Sequence, residues 1–274
     1  MKIMATVAIT HHLLGKLQES GEMMEKVAKL RQEILGNEHY DTLQSKRILA
    51  TIYSDTGRYE EAEELLSKLV PLQYKILGET HNEVLVSMKI YASICSRTGR
   101  NEKAENLMLR ALKLHRKIHG PKHPSTITSL SSLADMYHSA GKYKEAEEKM
   151  TIALKLLREV FGPKDPNTLW SMGKLAMIYQ RLGRDEEAEA LAAETLALMR
   201  EVFGDMHPYM VDTTSVLAVR YHTVGRHEEA EEMRTKTLEL SRRITGDGSP
   251  PVVKLVAYFE EVFRVTDTGT EEAI

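Results

Sequence analysis

The chain lacks the raw material for most kinds of site. Its 274 residues hold one cysteine, Cys95, one tryptophan, Trp170, and four phenylalanines. A lone thiol cannot close an intrachain disulfide, so a reducing, cytoplasmic setting is expected. No apolar run is long enough to cross a bilayer, and His11 and His12 interrupt the one near the start, which therefore lacks a signal-peptide layout. There is no basic excess either. A net charge of -3 and a pI near 6.4 argue against a general nucleic-acid binder. No phosphate loop, metalloprotease motif or nucleophile elbow occurs, so neither an enzyme nor a cofactor is expected.

What the chain does have is a ruler. Gly15, Gly36, Gly57, Gly78, Gly99, Gly120, Gly141, Gly162, Gly183, Gly204, Gly225 and Gly246 each lie 21 residues from the next, which uses 12 of the 16 glycines and removes accident as an explanation. Apolar residues at helical spacing fill the intervals, so each glycine reads as a helix stop. Two kinds of stop alternate. One reads Gly141-Lys-Tyr-Lys-Glu-Ala-Glu or Gly183-Arg-Asp-Glu-Glu-Ala-Glu; the other reads Gly120-Pro-Lys-His-Pro or Gly162-Pro-Lys-Asp-Pro. The true repeat is therefore 42 residues, a pair of helices A and B, and its second proline should open helix A.

Helix A carries one apolar stripe, such as Ile127, Leu130, Leu133, Ala134 and Tyr137; helix B carries another, such as Ala146, Met150, Ala153, Leu154, Leu157 and Val160. Small residues recur where the pair should approach closely: Ala50, Ala92, Ala134, Ala176 and Ala218 on helix A, and Ala62, Ala104, Ala146, Ala188 and Ala230 on helix B. The glutamates opening helix B suit its dipole, and pairs such as Glu145 with Lys149 read as solvated support. Residue 1 aligns with residue 43, and Ser20-Gly21 replaces the usual Ala-Glu, so the first pair is expected to be weaker. A start inside a repeat fits an excised fragment or a short N-terminal cap.

The spacing Ala134, Tyr137, Ala146, repeated as Ala176, Tyr179, Ala188, resembles the tetratricopeptide signature. With Gly-x-x-His-Pro and the 42-residue period, the array is similar to the tetratricopeptide domain of kinesin light chains. Similar arrays form sensor ends of some nucleotide-binding immune-type receptors. The resemblance implies an all-α, right-handed α-α superhelix over residues 1–265, of about six helix pairs plus a C-terminal capping helix, with 266–274 a flexible tail. It further implies a protein-interaction scaffold or adaptor whose helices A line a concave face. A receptor-sensor fragment, a self-associating structural module and, more remotely, an enzyme using His138 and His222 in a closed pocket are the alternatives.

The helix A stripe opposite the apolar one varies from repeat to repeat. The residues expected to read a ligand are Arg47, Lys89, Ser93, Arg97, Ser131, Asp135, His138, Trp170, Lys174, Met177, Arg181 and His222. They lean basic, so the expected partner is a protein or peptide, extended and acidic, with an apolar anchor near Trp170. Neither nucleic acid nor membrane is expected; homo-oligomers stay open. The asparagine pair that kinesin light chains carry before Leu-Ala is replaced by Arg47-Ile48, Lys89-Ile90, Ser131-Ser132, Gly173-Lys174 and Ser215-Val216, and the carboxylate clamp of chaperone-binding relatives is absent.

Three other features need a reading. His115, His119 and His123 have the i,i+4 spacing of metal ligands, but His119 aligns with Leu77, Phe161 and Phe203, and His123 with His39, His81, Asp165 and His207, which suits packing and helix capping instead. Cys95 stands where other repeats have tyrosine and reads as core. Pro71 falls inside a helix B and should kink it.

Overall fold

A computed structural model describes residues 1–204 and 207–268 as thirteen helices, with no strand among the described residues. They are α1 (Lys2–Leu13), α2 (Leu17–Leu35), α3 (Tyr40–Asp55), α4 (Tyr59–Leu77), α5 (Asn82–Arg97), α6 (Asn101–His119), α7 (Pro124–Ser139), α8 (Tyr143–Phe161), α9 (Pro166–Arg181), α10 (Asp185–Phe203), α11 (Met210–Thr223), α12 (His227–Thr245) and α13 (Pro250–Thr268). Odd-numbered helices are the A helices and even-numbered ones the B helices. The chain divides into two compact units, Met1–Ala140 and Gly141–Ile274. In the first, α1 to α7 pack each on the next, and α3, α5 and α7 also pack in sequence on one another. In the second, α8 leads into the hairpins α9/α10 and α11/α12; α9 packs on α11, and α13 on both α11 and α12.

The alternating stops follow from the glycines. All twelve rulings have φ between +72° and +88°. After helix A the chain closes a 6→1 bond, as where Arg58 N donates to Tyr53 O at 2.8 Å across Gly57. After helix B it leaves in an extended but positive-φ conformation, as at Gly120 (φ 85°, ψ 171°), a region that only glycine visits readily. That difference in exit is what alternates tight A-to-B turns with the longer B-to-A linkers.

The linker position then starts the next helix. His39, His81 and His123 accept through Nδ1 from the backbone N–H of Asp41, Glu83 and Ser125, each at 3.2 Å. Asp165 accepts from Asn167 at 2.9 Å and Thr168 at 3.4 Å. The capping role expected for this position therefore holds. Proline opens α7 and α9 as expected. It does not open α11, which begins at Met210, two residues past Pro208, although His207 Nδ1 still accepts from Tyr209 N at 3.3 Å.

All ten marked alanines are buried, none more than 1% exposed, which lets paired helices approach as the sequence requires. Leu66, Met150 and Leu133 are fully buried among them, each contributing about 1.5–3 kcal/mol of apolar transfer. In the first pair Ser20 is fully buried and donates to Ala8 O at 2.7 Å, so the substituted alanine position still closes the contact. Val160 departs from expectation: it sits on the last turn of α8 with a largely exposed side chain, past the end of the apolar stripe. Lys149 pairs with its neighbour Glu148 at 2.7 Å and not with Glu145. Pro71 lies within an uninterrupted α4, at an exposed position. α13 runs to Thr268, past the boundary expected at 265; of the tail expected over 266–274, residues 269–274 lie outside the described residues.

Candidate functional site

The helix A residues of the first unit form a graded series of charge. Arg47 on α3 reaches forward to the first turn of α5, where its Nε lies 2.7 Å from Glu83 Oε2, both side chains being largely buried. Lys89 on α5 stands 42 residues later, and the position matching Glu83 is Ser125. Lys89 is half-buried, has no ion pair or hydrogen bond among the described residues, and burial pushes its ammonium pKa below the usual lysine range. It borders a cavity of about 540 Å³ lined by Ser93, Ser96 and Arg97 from α5 and by Ser132, Asp135 and Ser139 from α7, over a floor of Ala92, Met108 and Met136. Arg97 donates to the Tyr59 hydroxyl at 3.0 Å, a neutral partner that leaves its charge uncompensated. Ser131 is buried and turned back on its own helix, donating to Ile127 O at 3.2 Å; Ser132, one residue on, lines the cavity in its place.

In the second unit the expected anchor is already engaged. Lys174 Nζ lies 2.5 Å from Asp212 Oδ2 on α11 and 5.7 Å from the centre of the Trp170 ring. Trp170, Lys174 and Met177 are half-buried. Arg181 is exposed and lies over Tyr258 of α13 at 5.6 Å. His222 is buried, stacked on Phe263 of α13 at 4.0 Å and 7°, so it does not face an open groove. His138, on α7 in the first unit, is half-buried. Arg47 and Lys174 carry internal acids, whereas Lys89, Arg97 and Arg181 have no acid partner among the described residues. Of these three, Lys89 and Arg97 border one cavity.

The other singled-out residues are structural. His115 is buried, with Nδ1 2.8 Å from Ser129 Oγ, and desolvation, then Lys89, His119 and His123, lower its pKa to about 4. His119 packs at the end of α6, exposed and stacked on His123 at 4.3 Å; Phe203 stacks on His207 likewise at 4.1 Å. No group of three or more metal-ligating side chains is poised to hold a metal among the described residues. Cys95 is fully buried, and burial raises its thiol pKa to about 11, as befits a core residue.

Two regularities escaped the sequence reading. The arginine after a ruling glycine clasps the preceding repeat: Arg58 bonds Glu25 at 3.0 Å and covers Tyr53, and Arg184 likewise bonds Glu147 and covers Tyr179. Where Cys95 replaces the tyrosine, Glu63 is buried and receives Arg100, Lys103 and Thr98. The second regularity is a buried seam between each helix B and the next helix A, at positions 14 residues apart. Arg31 Nη1 donates to Ser45 Oγ at 2.6 Å, and His115 meets Ser129. Gln73 and Ser87 occupy the same two positions, fully buried and without a hydrogen bond among the described residues. In the second unit Leu157 and Met199 stand opposite Ser171 and Thr213. Aligning the chain at 42 residues and reading its serines would have exposed this seam.

No helix among the described residues is long and apolar enough to cross a membrane. Compared with known proteins, the chain has no match among curated sequences. Among solved structures it is similar to a Podosopora anserina protein described as a kinesin light chain with nearly identical TPR-like repeats, 27% identical over 76% of this chain and 97% of that one, with a TM-score of 0.61. BtubC of P. vanneervenii shares the fold at 18% identity over 86% and 92%, TM-score 0.62. So does the apo quorum sensor NprR of B. thuringiensis at 16% identity over 95% and 70%, TM-score 0.67. The tetratricopeptide repeat profile matches residues 2–75, 41–117, 83–151, 138–201 and 173–243. With alanines and glycines at their structural stations along nearly its whole length, the chain belongs to the tetratricopeptide repeat family.

Proposed function

We propose that this protein is a non-catalytic adaptor, working in the cytoplasm, that holds an extended acidic peptide of a partner protein along the exposed faces of its helices A. One observation carries the reading: between α5 and α7, side chains that vary among the repeats surround an open cavity whose buried floor includes Ala92, an alanine that recurs in every helix A from α3 to α11. Packing dictates the floor; nothing in packing dictates the walls, and their chemistry is free to select a ligand.

The test is a selection of random displayed peptides on the full chain, followed by binding to Ser93→Phe, which fills the cavity from an exposed position. Selected peptides should saturate the wild type and lose most of their affinity for the variant. Equal binding to both would place the ligand elsewhere. A molar mass that climbs with concentration in light scattering, with no peptide selected, would favour self-association.

A further inference from the structure

The forward-reaching cation of helix A is an internal strut in one repeat and an open valence in the next. Arg47 is neutralised by Glu83, the acid in the first turn of the following helix A. In the second unit Lys174 is neutralised by Asp212, also in a following first turn. Lys89 has the same reach, but the matching residue is Ser125, and the first turn of α7 contains no acid. A half-buried ammonium without a counter-charge is unfavourable, and it persists here beside a cavity large enough to admit a side chain from outside.

The charge of that cavity specifies what would enter. Lys89 and Arg97 supply two positive charges and Asp135 one negative, so the walls carry a net charge of about one. That balance matches a monoanionic carboxylate and would leave a phosphate dianion overcharged next to Asp135. Ser93, Ser96 and Ser139 line the same walls and add hydroxyl donors. The floor of Ala92, Met108 and Met136 is apolar, which suits the methylenes that carry such a carboxylate. We propose that this cavity is a single acid-reading station, in which a glutamate or aspartate side chain of the bound peptide takes the place that Glu83 takes for Arg47. The proposal rests on the peptide-binding reading and sharpens it. Specificity is set at one repeat, by the loss of an internal acid, and not by a basic stripe along the whole face.

The register supplies its own control. Ser125→Glu restores the missing internal acid without touching Lys89, and at the second helical position the new carboxylate also faces the favourable end of the dipole. Full-length protein is titrated with pools of degenerate dodecapeptides whose central residue is fixed as Glu, Asp, Gln or phosphoserine. The wild type should hold the Glu and Asp pools about tenfold tighter than the Gln pool. Ser125→Glu should erase that gap while leaving binding of the Gln pool unchanged, and Lys89→Met should erase the gap as well. Ser125→Glu should also raise the melting temperature in the absence of any peptide.

Equal binding of the Glu and Gln pools, a preference for phosphoserine, or a gap that survives Ser125→Glu would overturn the station. If Ser125→Glu fails to stabilise the free protein, the unpaired-cation premise fails while the peptide-binding reading stands. If no pool binds and the variant is stabilised all the same, it is the peptide-binding reading that falls, and the station with it.

Discussion

His115 Nδ1 sits 2.8 Å from Ser129 Oγ in the seam between α6 and α7, with the ring only 2% exposed. Its pKa is lowered from 6.5 to about 4, first by desolvation and then by Lys89, His119 and His123. The unfolded chain takes up a proton near pH 6.5 that the folded chain refuses until about pH 4. Stability from this group is therefore complete above pH 6.5 and declines as pH falls through that window, by on the order of 3 kcal/mol. In urea titrations at steps between pH 7 and pH 4, His115→Leu should flatten that part of the decline. A variant that loses stability as steeply as the wild type would refute the assignment.

Gln73 offers the opposite experiment at the equivalent position of the preceding repeat. Both side-chain amide atoms are buried without partners among the described residues, as is Ser87 Oγ, whereas the seam of α8 and α9 uses Leu157 at that place. Gln73→Leu should stabilise the protein by about 1–3 kcal/mol, since an unpaired buried amide is removed and similar volume retained. The midpoint of chemical denaturation should rise with an unchanged slope.

Two helical glycines should respond oppositely to alanine. A Cβ on Gly173 would meet Thr213 Oγ1 at 2.8 Å, while one on Gly21 would meet Ile52 Cγ2 at 3.5 Å, an ordinary contact. Gly21→Ala should stabilise by about 0.5–1 kcal/mol through helix propensity alone. Gly173→Ala should instead destabilise by about 1–3 kcal/mol, because either the buried Thr213 side chain or the α9–α11 contact must shift to admit the Cβ. Melting temperatures of the two variants, measured side by side, decide the matter.

The linker histidines predict a graded series at one site. His123→Ala removes an acceptor for Ser125 N–H and should cost about 1 kcal/mol. His123→Asp should recover it, because Asp165 fills the same position in the following linker with two backbone bonds. A calorimetric series across the three residues that shows no difference would mean the caps are incidental.

The repeat, its helix boundaries and its buried alanines were legible because glycine and alanine are demanded by backbone conformation and close approach, which leave residue-specific marks at a fixed period. Side-chain partnerships were not. That Arg47 and Lys174 are neutralised depends on which residue the next first turn presents, 36 to 38 positions away. Ser131 and Ser132 differ by about 100° around the helix, enough to move one into the core and the other onto the cavity wall. His222 was placed on an open face by the same repeat rule that holds for earlier helices A; Phe263 of the final helix covers it.

The buried seams make the hairpins of the first unit non-interchangeable. Among the described residues, Arg31 is satisfied by Ser45 and the Asp41 carbonyl, and His115 by Ser129 opposite. Shuffling these hairpins, or splicing in one whose seam is aliphatic, would keep every glycine in step and still strand a guanidinium or an imidazole in a dry crevice. Their sequence along the chain is thereby fixed by chemistry at the joints, one lock to each key, rather than by the common shape of the bricks.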